Sequence, residues 1–280
     1  MSYTTSFKIE LNDLSNLSDK HLLVQLAEDG IRLLGMHPDG QPLFIESVKF
    51  DPVEEEQAPL QDWVRDQKEW VNRWERLIVL HQTSQSVLVP SALYGNENAK
   101  ELLDCQFGDL FKGTMLTDQH ADGNHYTLYR MPRETYNGIA DLHPNTRHIH
   151  QLTAWMQHLS KMEHPEEGVL YLVIDQQRLF LALYNKGWKI FQQYIYQTPD
   201  DVSYLVLRAL EAEGLSPATT RVEWSGWMDT ESALYLDLYK YLGNLVQTGV
   251  PDGIELNDRH LQGMPVHFFT PLIQSGLCVL

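Results

Sequence analysis

The sequence predicts an α/β protein made of two similar halves, and three observations support that fold class. Residues 168–196, GVLYLVIDQQRLFLALYNKGWKIFQQYIY, contain three runs of strand-forming residues separated by two short polar turns. Residues 21–50 repeat this outline, with a first turn at 28–30. In each half a helical pattern and a further strand follow, and Glu28 corresponds to Asp175 at an offset near 147 residues. This recurring order indicates an internal duplication.

The second half begins with an almost continuous apolar run at 169–174, which is typical of a strand covered on both faces. After the three strands, Thr198 is suited to cap a helix and Pro199 to occupy its first position. Gly214 is suited to end that helix, and the short strand RVEWSGW follows. The sequence therefore predicts that the third and fourth strands are joined by a crossover helix.

The last part of the chain is predicted to contain one helix and a segment whose secondary structure the sequence leaves open. Asp229 is suited to cap a long helix that continues to about Val246, because apolar residues repeat there at helical spacing. The later apolar stretch VHFFTPLI is compatible with a last strand or with a short helix.

In the first half, the first dozen residues are predicted to be a polar lead-in, and residues 51–60 an acidic connection. A helix from about 61 to 75 carries three tryptophans on one face. Such a stripe can bind a partner, but it is more often part of a core, and we interpret it as core. The elements expected after it are the strands RLIVLHQ and SVLVP, the helical PSALYGNENAKELLD, loops between 105 and 122, the strand HYTLYRM, the helix RETYNGIADL, and NTRHIH running into QLTAWMQHLSKM.

The segment HPEEG is the expected domain boundary, which gives a first half at 1–164 and a second half at 165–280. The chain carries 38 acidic and 21 basic residues, for a net charge of −17. Such a surface repels phosphate backbones and anionic lipids, so we expect no nucleic-acid partner and no membrane-surface binding.

Other composition features bound the compartment and the chemistry. The two cysteines, Cys105 and Cys278, are too far apart in sequence and too few for a disulfide framework or a four-thiolate zinc site. The N-terminus has no apolar secretory segment, and no apolar run reaches membrane length. We therefore expect a cytoplasmic protein that does not insert directly into a membrane.

From about residue 21 to the C-terminus, the chain resembles a bacterial domain family of unknown function whose members have a degenerate actin-like ATPase fold. The segments that carry the resemblance are SVLVPSALY, VLYLVID, RLFLALYN with its Tyr184-Asn185 turn, YIYQTPDDVSYLVL with its Asp pair before Tyr204, and VEWSGWM. The resemblance implies two ribonuclease-H-like halves in an actin-like ATPase arrangement. The fold is also similar to that of cytoplasmic assembly proteins of type IV pili and type II secretion, which use it as a docking scaffold.

Actin-like ATPases hold a nucleotide between two hairpins whose backbone amides approach the phosphates. The positions that could take part here are Glu28 and Gly30 in the first hairpin, Asp175 in the second, and Ser225-Gly226, which corresponds to a glycine pair beside the adenosine. Gln176 and Gln177 add bulk where close amides would be needed. ATP and magnesium are therefore compatible with the cleft, but we expect no hydrolysis and assign no catalytic residue.

Parts of the sequence are also compatible with a metal site and with a nuclease. His148 and His150 lie on one side of a predicted strand and could start a metal site, but a third ligand is required, and we expect no metal there. Asp175 could be the first carboxylate of a two-metal nuclease, yet no second acid falls convincingly at a strand end. The sequence favours a non-catalytic scaffold with a protein partner and leaves room for a homo-oligomer; the alternative is a nucleotide-dependent switch or ATPase that uses the cleft.

Overall fold

A computed structural model describes residues 3–27, 29–51, 58–110, 112–254, 256, 261 and 263–279. The chain folds into two compact units, which are described separately. Unit 1 comprises Met1–Gln157, Ile254–Gln262 and Ser275–Leu280, and unit 2 comprises His158–Gly253 and Gly263–Gln274. The division into halves at 1–164 and 165–280 stays a prediction.

Unit 1 begins with strands and alternates later with helices. Its strands are β1 (Tyr3–Glu10), β2 (His21–Ala27), β3 (Gly30–Met36), β4 (Pro42–Phe50), β5 (Arg76–His81), β6 (Ser86–Pro90), β7 (Thr114–Gln119), β8 (His125–Met131) and β9 (Thr146–His150). Its helices are α1 (Ala58–Val71), α2 (Ala99–Phe107), α3 (Arg133–Ala140) and α4 (Gln151–Leu159), the last of which ends in unit 2.

The main sheet of unit 1 has the strand order β1-β4-β3-β2-β5-β9. Strands β2, β3 and β4 form an antiparallel meander, and β5 and β9 run parallel to β2. Helix α1 provides the crossover from β4 to β5. A second sheet, with the order β6-β8-β7, is inserted between β5 and β9 in sequence.

Two segments differ from their sequence predictions. The expected polar lead-in forms β1, which pairs with β4 at the sheet edge and buries Ile9 opposite Ile45. The expected loops before residue 122 include β7, an edge strand of the inserted sheet. Both strands are polar because an edge strand is largely exposed, and this removes the apolar signal on which the prediction depended.

The core of unit 1 packs between the main sheet and α1. Trp63 and Trp74 are buried in it, and Trp70 is partly buried beside them. The rings of Trp70 and Trp74 lie 5.6 Å apart, and both contact Phe44 of β4 at 5.8 Å. The interpretation of the tryptophan stripe as core is confirmed.

Unit 2 repeats the meander and crossover with different strands. Its strands are β10 (Val169–Asp175), β11 (Arg178–Tyr184), β12 (Trp188–Ile195), β13 (Arg221–Gly226) and β14 (Leu245–Gln247), and its helices are α5 (Pro199–Ala212) and α6 (Ala233–Tyr241). The strand order is β12-β11-β10-β13-β14. Strand β13 runs parallel to β10, and β14 runs parallel to β13.

The two units share one topology. The order β4-β3-β2-β5-β9 corresponds strand for strand to β12-β11-β10-β13-β14, with the same relative directions. The predicted α/β class with ribonuclease-H-like halves is confirmed. One detail of the alignment is corrected: Ala27 pairs with Gly30 as Asp175 pairs with Arg178, so the offset is 148 and Ala27, not Glu28, corresponds to Asp175.

Helix α5 begins and ends as predicted. The Thr198 side chain and the Asp201 side chain form a reciprocal capping box, Pro199 opens the helix, and Gly214 follows its end at φ 65°. The prediction for the next helix is wrong. Ser232 rather than Asp229 caps α6, and the helix ends at Tyr241.

The early end of α6 has a physical cause. A Cβ on Gly243 would lie 2.1 Å from the Ala218 carbonyl oxygen, so the chain passes directly against another backbone segment there. Leu245 then pairs with Val222 in the sheet, and residues 245–247 become β14. The apolar tail forms a 3₁₀ turn at Val266–Phe268 and helix α7 (Thr270–Val279), which decides between strand and helix.

Candidate functional site

Each unit has a candidate position at the turn after its first meander strand, beside the carboxyl end of the parallel neighbouring strand. In unit 2 this position is the β10–β11 turn and the end of β13, and in unit 1 it is the β2–β3 turn and the ends of β5 and β9. Ligands of parallel α/β sheets bind beyond the carboxyl ends of the strands. Of the residues predicted from the sequence, the four that the structure describes fall at these positions: Gly30, Asp175, Ser225 and Gly226.

The β10–β11 turn of unit 2 consists of Gln176 and Gln177. Gln176 has φ 52°, which is a conformation that glycine adopts at lower cost. The Tyr196 hydroxyl donates to the Gln176 carbonyl, and the Tyr196 backbone N–H donates to the Gln177 carbonyl at 2.9 Å. Asp175, at the end of β10, is buried. Burial raises the pKa of the Tyr196 phenol, and the nearby negative charge of Asp175 raises it further.

Gly226 at the end of β13 is required by the sheet itself. Its φ is 92°, and an added Cβ would lie 2.1 Å from the Ile174 carbonyl oxygen. The same carbonyl accepts a hydrogen bond of 2.7 Å from the Trp227 backbone N–H. Ser225 is buried, and the Trp227 ring stacks on Phe268 with ring centroids 4.9 Å apart. The predicted Ser-Gly pair therefore has a structural explanation in the close approach of β13 to β10.

The β2–β3 turn of unit 1 gives a similar explanation for Gly30. A Cβ on Gly30 would lie 2.3 Å from the Val48 carbonyl oxygen of β4. The Asp29 carbonyl accepts a hydrogen bond of 3.0 Å from the Phe50 backbone N–H. In unit 2 the equivalent bond runs from the Tyr196 backbone N–H to the Gln177 carbonyl. Glu28, the other predicted residue of this turn, lies outside the described residues.

The end of β5 carries His81, in the place that Gly226 has in unit 2. His81 pairs with Leu26 of β2, as Gly226 pairs with Ile174 of β10. Its Nε2 lies 2.9 Å from Nδ1 of His148 on β9, and the two rings stack at 5.2 Å. Burial holds the pKa of His81 well below its usual value, and the nearby His148 and His150 lower it further. Burial also lowers the pKa of His148.

His150 at the end of β9 is a neutral, structural imidazole. Its Nδ1 accepts from the Leu152 backbone N–H at 3.2 Å, and its Nε2 donates to the Thr83 carbonyl at 3.2 Å. Both ring nitrogens are thereby engaged, so His150 has none left for the metal site considered with His148. Among the described residues, no three His, Cys, Asp or Glu side chains form a group that could hold a metal ion.

Asp118 joins this histidine group, and the sequence prediction missed it. One of its oxygens accepts from the His150 backbone N–H at 2.6 Å, and the other accepts from the Tyr129 hydroxyl at 3.3 Å. Burial raises the pKa of Asp118 from 3.8 to about 6, although its hydrogen bonds and the charge of Arg147 act in the opposite direction. The available signal was the Asp122-Gly123 turn between TMLTDQ and the strand HYTLYRM, because an Asp-Gly pair before a strand indicates a hairpin.

The two positions therefore contain different chemistry. In unit 1, burial disfavours the charged form of the His81 and His148 imidazoles, and a carboxyl with a pKa of about 6, Asp118, is bonded to the backbone of the same strand β9. In unit 2, a glycine and two backbone carbonyls bonded to Tyr196 form a closed turn. No helix in the described part of the chain is long and apolar enough to cross a membrane.

Comparison with known proteins gives a family and a fold. The model of a family described as protein of unknown function (DUF3822) matches residues 10–245. A search of the curated proteins found no match. Ninety-three chains of solved structures match, and three are described below.

A Bacteroides thetaiotaomicron protein with an actin-like ATPase fold and unknown function aligns with a TM-score of 0.75 at 14% identity, over 91% of this chain and 100% of that chain. A chain of the PilM–PilN type IV pilus biogenesis complex aligns with a TM-score of 0.59 at 12% identity, over 92% and 97%. The ethanolamine utilization protein EutJ from Carboxydothermus hydrogenoformans aligns at 0.45 and 12% identity, over 95% and 92%. At these identities the first two similarities establish the actin-like ATPase fold and nothing about activity.

Proposed function

The chain belongs to the DUF3822 family, whose function is unknown, and we propose that it acts in the cytoplasm as a non-catalytic scaffold for a protein partner. The proposal concerns a role of the actin-like fold that requires no phosphoryl transfer. Its partner is another protein, and the acidic surface, with a net charge of −17, disfavours nucleic acid.

The observation that carries the proposal is the structure of the β10–β11 turn. Phosphate binding by a turn requires close backbone amides and small side chains, and transfer requires metal-held phosphates with a positioned nucleophile. Here the turn residues are Gln176 and Gln177, and the carbonyls of both accept hydrogen bonds from Tyr196. Asp175, at the end of β10, is buried beside this closed turn.

The corresponding place in unit 1 supports the same conclusion. His81 is bonded to His148 at the end of β5, and burial disfavours the charged form of both rings. Neutral imidazoles supply no positive charge to offset a triphosphate. The PilM–PilN complex is a precedent in which a protein of this fold is found with a protein partner.

The proposal is tested by titrating the full chain with ATP and magnesium in a calorimeter and then assaying phosphate release. We expect no saturable heat and no release above the blank. Asp175→Ala is the informative variant, and Asp200→Ala, at an exposed position of the same unit, is its matched control.

One result would overturn the scaffold role. Micromolar binding of ATP with turnover that Asp175→Ala abolishes and Asp200→Ala preserves would establish the rival function, a nucleotide-dependent switch or ATPase. Binding without turnover in all three proteins would indicate a nucleotide-sensing scaffold and would remove the argument from the β10–β11 turn.

A further inference from the structure

Helices α5 and α6 of unit 2 carry a cluster of exposed apolar side chains. In the described part of the chain, seven large apolar side chains are exposed, and four of these lie on the two helices. These four are Tyr204, Leu236, Tyr239 and Tyr241, which are 61%, 52%, 64% and 50% exposed. We name them the tyrosine face. Clustered exposed apolar groups of this kind mark interaction sites, whereas single ones are ordinary.

The tyrosine face is held together by the packing of α5 against α6. The Ser203 hydroxyl donates to the Asp237 carboxylate at 2.6 Å and joins the two helices. Tyr204 follows Ser203 directly, and Tyr241 lies one helical turn after Asp237. Leu236 and Tyr239 are three residues apart on α6, which places them on one side of the helix. The four exposed side chains therefore belong to one helix pair. Tyr241 comes two residues after Tyr239, so it lies on another side of α6.

Tyr239 also has an ordered orientation. Its ring stacks on that of Tyr235, one turn earlier, with centroids 6.0 Å apart. Tyr235 in turn packs against the buried Trp224 at 5.6 Å. A tyrosine fixed in this way can be buried by a partner at a low further cost in side-chain entropy, and tyrosine is enriched among residues that dominate binding energy.

The surroundings of the tyrosine face are acidic. Residues 199–241 contain eight acidic and three basic residues. Lys240 forms an ion pair of 2.8 Å with Asp237, so these two charges offset each other, and Arg208 is an exposed basic residue on α5. Exposed carboxylates at Asp200, Asp201 and Glu211 remain on α5. A second copy of the chain would bring the same negative charge to this surface, so self-association through it is disfavoured.

We propose that the tyrosine face is the docking site for a basic amphipathic segment of a partner protein. The apolar side of the segment covers Tyr204, Leu236 and Tyr239, and its lysines and arginines lie over the carboxylates of α5. Cations also gain from contact with the tyrosine rings. The inference rests on the scaffold role proposed above and adds the location and the chemistry of the contact.

The probe is a fluorescein-labelled peptide of lysine and leucine, about five helical turns long, with leucine at i, i+3, i+4 and i+7. Fluorescence anisotropy is measured against the full chain and against a triple variant, Tyr204→Ser with Leu236→Ser and Tyr239→Ser. The matched control is Leu93→Ser with Leu110→Ser, which removes exposed apolar side chains of unit 1. Circular dichroism checks that each variant is folded.

We expect micromolar binding, a loss of about tenfold or more in the triple variant, and a change below about twofold in the control. Equal losses in the two variants, or equal binding of a scrambled peptide of the same composition, would overturn the proposal, because neither result places a specific contact on the tyrosine face. A wild-type dimer in light scattering that the triple variant abolishes would also overturn it and would identify a second copy as the occupant.

This experiment separates the two proposals. If the peptide does not bind specifically to the tyrosine face while ATP is neither bound nor hydrolysed, the scaffold role stands and its contact surface is elsewhere. If turnover depends on Asp175, the scaffold role falls whatever the peptide shows.

Discussion

The carboxyl ends of β5 and β13 occupy the same place in two units of the same topology, yet they carry different residues. His81 ends β5 opposite Leu26, and Gly226 ends β13 opposite Ile174. The backbone hydrogen bonds that follow are equivalent: Gln82 N–H donates to the Leu26 carbonyl at 3.0 Å, and Trp227 N–H donates to the Ile174 carbonyl at 2.7 Å.

The difference lies in how each unit fills the space beyond the strand. In unit 1 the His81 imidazole extends to a second imidazole on β9, His148, and the two ring nitrogens lie 2.9 Å apart. In unit 2 the position has φ 92° and no room for a Cβ. The backbone geometry that the two units share therefore does not determine the chemistry of this position, because each unit has its own side chains and side-chain partners there.

Gly226→Ala is expected to have the largest effect on stability among the variants that test this comparison. The new Cβ would meet the Ile174 carbonyl oxygen at 2.1 Å in a left-handed conformation, so both the contact and the φ angle are unfavourable. We expect a loss of about 3 kcal/mol or more in the free energy of unfolding, measured with urea. Gly249→Ala, with nothing within 4 Å of the added atom, is the control and should change stability by less than about 0.5 kcal/mol. Equal effects would show that unit 2 does not require the glycine.

The second test changes Asp118→Asn and follows stability with pH. The pKa of Asp118 is raised from 3.8 to about 6, so the folded state holds this proton more tightly than the unfolded state does. The contribution of Asp118 to the free energy of unfolding is therefore fully present below pH 3.8 and is lost as the pH rises to about 6 and beyond. At about 1.4 kcal/mol per unit, the loss is roughly 3 kcal/mol.

Asp118→Asn does not titrate, so its stability relative to wild type should improve by up to that amount between about pH 4 and pH 7. Urea midpoints across this range measure the difference, and Asp109→Asn, at an exposed position, serves as control. A wild-type and variant difference that is constant with pH would contradict the burial of a charged Asp118.

The third test is His81→Leu, which keeps a similar volume and removes the bond to His148. Leaving the His148 nitrogen without this partner should cost about 1–3 kcal/mol. Because the pKa of His81 is lowered in the folded state, the unfolded state binds more protons below pH 6.5, and wild type loses stability as the pH falls. The difference in free energy of unfolding between wild type and variant should therefore become smaller below pH 6.5. A difference that grows as the pH falls would be inconsistent with a neutral buried His81.

The smallest expected effect is that of Gln176→Gly. Gln176 has φ 52°, and glycine adopts this conformation without the penalty of a Cβ. After the larger entropy of an unfolded glycine is allowed for, we expect a gain of about 0.5 kcal/mol in thermal or urea unfolding. Gln177→Gly in the same turn lacks a positive φ to relieve and should not gain. A loss in both variants would mean that the side chains, not the backbone, hold the turn.

Features that depend on local patterns could be predicted from the amino-acid sequence. The apolar run of β10, the Thr198 and Pro199 start of α5 and its stop at Gly214 are readable because strand periodicity and helix capping involve residues close in sequence. The same patterns give the shared order of the two halves, and they place Asp175, Ser225 and Gly226 at strand ends.

Features that depend on residues far apart in sequence became visible only in the folded chain. The edge strands β1 and β7 exist through pairing with β4 and β8, and α6 stops where Gly243 meets the backbone of Ala218. The contact between His81 and His148 joins residues that are 67 positions apart in sequence, and the hydrogen bond between Asp118 and the His150 backbone joins residues that are 32 positions apart. Such contacts leave no local periodicity in the chain, because strand register and close backbone approach are fixed only when the sheet is assembled.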